Sequence, residues 1–424
     1  MIKFLFKGLI RDRSRSLFPL IVVVLGVMLT VFLYSWMEGT ENEMISSNAF
    51  FDTGHVKIMS RAYAEEIDQI PNDLAYIGVD ALMDDLKNTH PGMVWTPRIR
   101  FGGLLDIPDE NNETRSQGPV AGLAIDLFSQ SSPEREILNL EDAMVRGKFP
   151  ENPGEILVSD LFAKKLGVKP GETATLISTT MYGSFATYNF KVTGTIRFGV
   201  SAMDRGAMIA DVSDVQYALD MVDAAGEILG FLPDYVYRDD SAGEIARDFN
   251  AAYEDPEDAF SPVMLSLREQ SGLAEMLDMY DYFSGILLAI FVSVMSLVLW
   301  NAGLMGSLRR YGEIGLRLAI GEAKGHVYRS MIIESLIIGF VGSLIGTGIG
   351  VAVSYYLQVK GIDISSMMKN ASMLISDVIR AKVTPVSYLI GFIPGLLATF
   401  VGTTISGIGI YKRQTSQLAK ELET

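Results

Sequence analysis

Four apolar stretches, one before and three after a long polar insert, constrain this 424-residue chain more than anything else in it. They run over 17–37, 283–308, 331–357 and 386–411. Each reaches the ~20 residues that a helix needs to cross a hydrocarbon core roughly 30 Å thick. In lipid every backbone N–H and C=O must find its partner within the protein, so such segments fold as helices. The first is not a cleavable signal peptide. Its apolar run exceeds the usual ~7–15 residues, and Tyr34-Ser35-Trp36-Met37-Glu38 offers no small-x-small site.

Positive charge sets the expected orientation. Lys3, Lys7, Arg11, Arg13 and Arg15 precede the first span, and Arg309, Arg310, Arg317, Lys324 and Arg329 fill the connection between spans two and three. Lys412, Arg413 and Lys420 follow the last span. Residues 1–16, 309–330 and 412–424 are therefore expected in the cytoplasm, with residues 38–282 and the loop 358–385 on the other side. Ile2, Leu5, Phe6 and Leu9 share one face of an N-terminal segment able to lie on the inner leaflet.

The insert is acidic: between Glu38 and Tyr282 there are 43 acidic and 18 basic residues, a net of −25. That balance disfavours nucleic acid and anionic head groups as partners. The chain has no cysteine, so thiolate chemistry and disulfides are excluded. Its texture is mixed α/β. Strands are expected at His55–Met59, Val120–Ile125, Glu155–Val158, Thr173–Ser178 and Tyr188–Ile196. Helices are expected at Asp80–Asn88, Ser159–Leu166, Val212–Asp220 and Ser241–Tyr253. Two subdomains are expected, a β-rich one over about 146–200 inserted in an α/β one. Helical extensions of spans one and two, the second marked by Leu267, Leu273, Leu277 and Tyr280, would carry the insert as a stalk.

No Gly-x-x-x-x-Gly-Lys-Ser/Thr pattern occurs, so ATP used by this protein would be hydrolysed by another subunit. His55, His90 and His326 are too scattered for a metal centre, and no nucleophile–base arrangement stands out. Gly342, Gly346 and Gly350 on span three, and Gly391 and Gly395 on span four, have the spacing that lets helix backbones approach, which predicts contact between these two spans. Glu334, just inside span three, needs a partner such as Arg329 or Arg310.

The stretch Arg309 to Glu322, charged and punctuated by glycine, has no lipid-facing role between two spans and is suited to presenting one face to a cytoplasmic partner. Arg310, Glu313, Ile314, Gly315, Arg317, Ala319, Gly321 and Glu334 stand where permeases of the FtsX-like, MacB/LolC type carry Arg-x-x-Glu-Ile-Gly-x-x-Arg-Ala-x-Gly-Ala and a following Glu. Leu318 separates Arg317 from the Ala that directly follows the Arg in that pattern, and Glu322 replaces the small final residue. Gly118–Gly122 with Asp126, Arg146–Phe149, Glu155–Val158, Leu161–Gly167, Pro170–Glu172 and Val192–Gly194 resemble the insert of the same family. The C-terminal tail lacks the proline that many relatives carry.

The resemblance implies an α-helical membrane protein of four transmembrane helices with a large extracytoplasmic α+β domain, a MacB-like periplasmic core, between helices one and two. It further implies a permease of the bacterial inner membrane, paired with a second permease and with a dimer of cytoplasmic ABC ATPase subunits that hold the ATP and Mg. This chain itself would hold no cofactor. Arg310, Glu313, Ile314, Gly315, Arg317, Gly321 and Glu322 would couple to the ATPase. Phe32, Trp36, Tyr280 and Phe283, near the outer ends of spans one and two, would admit a lipoprotein or another amphiphile bound for a periplasmic carrier or adaptor. Efflux of amphiphilic peptides or drugs, and signalling to a cell-wall enzyme, are the alternative outputs.

Overall fold

The computed structural model describes residues 13–129, 132–270, 272–308, 311–364 and 378–412. The N-terminal 1–12 and the tail 413–424 lie outside them. Among the described residues four helices are long and apolar enough to cross a membrane, Leu17–Thr53, Leu273–Val298, Lys324–Lys360 and Pro385–Ile405. The chain divides into two units. One comprises Met1–Asn42, Asp278–Ile362 and Ile379–Thr424, and the other Glu43–Leu277 with Asp363–Val378.

In the first unit, helix α1 is Arg13–Asn48, and Val23, Val27 and Val31 recur on its buried face at four-residue spacing. The glycines of span three meet these valines. A Cβ on Gly342 would fall 2.6 Å from Val23 Cγ1, on Gly346 2.8 Å from Val27 Cβ, and on Gly350 2.9 Å from Val31 Cβ. Without a hydrophobic driving force in lipid, such close backbone approach is what holds helices together. Span four meets both neighbours: Gly391 and Gly395 face Val27, and face Thr347 and Ser343 respectively. Spans three and four thus touch as expected, but the Gly342/Gly346/Gly350 stripe faces span one. The reason is complementarity, since small β-branched valines fill the groove that the glycines leave.

The loop entering span four is stitched to the C-terminal end of span one. Lys382 N–H donates to Ser35 O (2.8 Å), Ser35 and Ser387 hydroxyls pair at 3.1 Å, and Lys382 Nζ bonds Asn42.

The second unit is built on one ten-stranded sheet. Its strands in chain order are β1 Val56–Ser60, β2 Val94–Pro108, β3 Thr114–Ile125, β4 Met144–Gly147 and β5 Glu155–Ser159. They continue with β6 Thr173–Thr179, β7 Phe185–Ile196, β8 Ala207–Asp211, β9 Glu227–Phe231 and β10 Pro262–Ser266. The spatial order is β10-β1-β9-β2-β3-β8-β5-β7-β4, with β6 bridging β2 and β7. Only β3–β8 and β5–β7 run parallel among these pairs. The strands of 146–200 join this same sheet, because β2 is long enough to pair with β9 at one end and with β3 and β6 at the other. Helices α2 Val79–Thr89, α3 Asp160–Leu166, α4 Val212–Ala218 and α5 Asp239–Tyr253 flank it. Ser159 caps α3 by accepting from Phe162 N–H.

After α1 the chain makes a π-turn over Ala49–Thr53, and this turn is held in the second unit by buried charge. Thr96, Arg98 and Arg100 share one face of β2 by its two-residue period. Arg98 is fully buried and grips Glu134 with two bonds of 2.7 Å, while its Nη1 donates to Phe50 O at 2.8 Å. Arg100 binds Asp52 and lies 3.3 Å from Glu227. Lys57, also fully buried, lies 3.0 Å from Asp52 and 3.2 Å from Glu227. Two cations facing two carboxylates leave no net charge in this second cluster, the condition under which such burial is tolerated.

Candidate functional site

Three helices frame the segment singled out by sequence between spans two and three: α6 Leu273–Leu308, α7 Tyr311–Ala319 and α8 Lys324–Lys360. Arg310 lies outside the described residues. Glu313 and Ile314 fall on α7, and Gly315 is buried. The turn from α7 to α8 has a specific construction. Gly321 adopts φ +97°, the left-handed region that a side chain resists. Its N–H donates to Leu318 O (3.1 Å), and Glu322 N–H donates to Arg317 O (3.1 Å). These two bonds make a Schellman turn, which satisfies carbonyls that the helix end would otherwise leave open.

The apolar contact that commonly accompanies such a turn is replaced here by an ion pair. Arg317 Nε reaches Glu322 Oε2 at 2.7 Å and its Nη2 reaches Oε1 at 3.0 Å. His326 Nε2 lies 3.7 Å from the same carboxylate. Glu322 also precedes the N-terminus of α8, where negative charge is favoured. Arg317 and Glu322 therefore spend their charges on each other. Beside this pair two aliphatic side chains stand in solvent: Leu316 is 64% and Ile320 77% exposed. Both escaped the sequence reading, although two aliphatic residues four apart in a charged segment were the signal.

Glu334 sits on α8, partly buried. The four aromatic residues expected at the substrate entry are only partly assembled. Phe32 and Trp36 lie along α1 with tilted rings whose centroids are 6.2 Å apart, and Tyr280 on α6 donates to Met37 O at 2.9 Å. Phe283 is instead 63% exposed on α6, beside Tyr282. Gly272 precedes α6 with φ +67° and lies at the helix entry.

Fold and site define a four-span membrane protein with a large α/β insert after its first span and a braced helical elbow between spans two and three. Residues 285–415 match the FtsX-like permease C-terminal family. LolC, a lipoprotein-releasing system transmembrane protein of Xylella fastidiosa, is 26% identical over 215 residues, 49% of this chain and 49% of that protein. The alignment thus spans about half the length of the curated relative. MacB, a macrolide export ATP-binding/permease protein of Neisseria meningitidis, is 33% identical over 85 residues, 18% of this chain and 13% of its own. Among solved structures, the periplasmic region of MacB from Actinobacillus actinomycetemcomitans covers 53% of this chain and 94% of that one, at 10% identity and a TM-score of 0.37. Over residues 285–415 the chain is thus similar to FtsX-like permeases, and over about half of its length to LolC.

Proposed function

We propose that this chain is the permease subunit of an ATP-driven transporter that releases lipoproteins from the outer leaflet of the bacterial inner membrane toward a periplasmic carrier. The observation that carries the coupling part is the braced elbow, which holds Leu316 and Ile320 in solvent at the end of a short helix between two spans. An apolar pair so held is suited to a groove on a cytoplasmic ATPase dimer, where ATP and Mg reside. Glu313 and Ile314 lie on the same helix and, with Arg310, belong to this docking segment. A second permease completes the assembly, with the insert in the periplasm and both chain ends in the cytoplasm. Phe32, Trp36, Tyr280 and Phe283 are the proposed entry for the acyl chains. The lipoprotein substrate rests on the likeness to LolC, which is longer than the likeness to MacB.

Efflux of an amphiphilic peptide or drug is the second reading, favoured by the higher identity over the shorter MacB match. The test is release of a triacylated lipoprotein from proteoliposomes holding the chain with its co-purified ATPase. ATP-dependent release into the soluble fraction is expected. Retention of the lipoprotein, with ATP-dependent movement of a soluble amphiphile, would overturn lipoprotein release in favour of efflux.

A further inference from the structure

Glu322 departs from the small residue that the resembling family carries at the end of its motif, and the structure gives that departure a use. Its carboxylate meets the guanidinium of Arg317 in two parallel bonds, across the same two residues that the Schellman turn joins by backbone. Main-chain and side-chain links between one pair of residues close a small ring at the corner between α7 and α8. Arg317 is 39% and Glu322 23% exposed, so the pair is reachable from the cytoplasm yet already satisfied.

We infer that Arg317 and Glu322 are positioning residues: together they clip the elbow at one angle, and thereby aim Leu316 and Ile320 at the ATPase without touching it themselves. The inference rests on the coupling role proposed above and assigns that role's two charges to internal geometry. A second consequence concerns the chain's own mechanics. A bidentate guanidinium–carboxylate pair has fixed planar geometry, so motion of α7 passes to α8 and span three instead of being lost in a flexible turn. Ala323, the residue before α8, makes no side-chain cap hydrogen bond, and His326 on α8 approaches the same Glu322 carboxylate at 3.7 Å. Glu322 is thus the side chain on which the links of this corner converge among the described residues.

The test uses the full-length chain, which has no native cysteine. Nitroxide labels at Ala319→Cys and Arg329→Cys report the elbow angle by their distance distribution, and ATP hydrolysis in material purified from host membranes reports coupling. Both are measured in Arg317→Glu, in Glu322→Arg and in the charge-swapped double variant. Each single reversal should broaden the distribution and lower hydrolysis per permease about fivefold, the size expected for a partly exposed ion pair. The swap should restore a narrow distribution and return hydrolysis to within about twofold of the parent, because the two side chains recover their partner. A swap that restores the distances while hydrolysis stays impaired would overturn the aiming role, since that is what direct contact of Arg317 with an ATPase predicts. A swap whose distance distribution stays as broad as that of either single reversal would overturn the clip. Single reversals that leave the distance distribution unchanged would overturn it too. If the parent chain carries no ATPase, the coupling role falls, and the label distances still decide the clip.

Discussion

Replacing Glu134 by alanine leaves Arg98 fully buried with its charge uncompensated. Three of its hydrogen-bonding nitrogens are engaged in the structure, Nε and Nη2 with Glu134 and Nη1 with Phe50 O, and the substitution removes the first two. Thr96 Oγ1, 2.8 Å from the same carboxylate, loses its acceptor as well. Breaking a buried pair in this way costs about 3–5 kcal/mol, against a total stability of about 5–15 kcal/mol for a domain. For a unit of this size each kcal/mol moves the midpoint by about 2–4 °C, so a fall of roughly 6–20 °C is expected. Trp95, adjacent to Thr96 on β2 and buried, is a local reporter in a Trp36→Phe, Trp300→Phe background. Unfolding is followed by its fluorescence in detergent-solubilised full-length protein. The Arg98→Met, Glu134→Met double variant, which leaves no charge behind, should lose less than Glu134→Ala alone. A midpoint within about 2 °C of the parent for Glu134→Ala would refute the reasoning, as would a double variant worse than the single one.

His55 is buried against Phe231 and Tyr237 and accepts Leu232 N–H at Nδ1, and burial holds its pKa down to about 4 from 6.5. The unfolded chain therefore binds the proton more readily. Stability should be full above pH 6.5 and fall by about 3 kcal/mol as pH drops toward 4, and an unaltered slope in His55→Asn by urea titration would count against it. Gly346→Leu should be destabilising by more than about 1–3 kcal/mol, since even a Cβ lies 2.7 Å from Val24 O. Gly348→Leu, with nothing within 4 Å of its Cβ, should be mild, and equal losses of thermal stability would contradict the packing. Leu316→Asp with Ile320→Asp should weaken ATPase retention on affinity purification more than about tenfold, the worth of burying one aliphatic side chain, while unchanged retention would exclude this face as the dock.

The membrane architecture was legible because a span is written in a run of neighbouring residues. Expected spans at 17–37, 283–308, 331–357 and 386–411 fall on helices Arg13–Asn48, Leu273–Leu308, Lys324–Lys360 and Phe392–Lys412. Short helices with local caps, such as Asp160–Leu166 behind Ser159, were legible for the same reason. The longest strand, Val94–Pro108, was not. Pro97, Gly102 and Gly103 interrupt it, and Arg98 and Arg100 look like surface residues. It forms because β9 and β3 flank it, and because carboxylates far along the chain neutralise its arginines.

The coupling segment divides along the same line. Its sequence by itself placed a glycine-punctuated helix between two spans, and Gly321 as a residue needing a left-handed backbone is a local property. Whether Arg317 and Glu322 face a partner or each other depends on where the chain turns, and the Schellman geometry brings the two side chains together. The glycine stripe of span three likewise announces close packing by its spacing, yet only assembly reveals that its neighbour is the valine face of span one. Burial period and composition are carried by adjacent residues and survive in one dimension. The identity of a partner is settled by which distant surfaces fit, and that is decided only when the chain has folded.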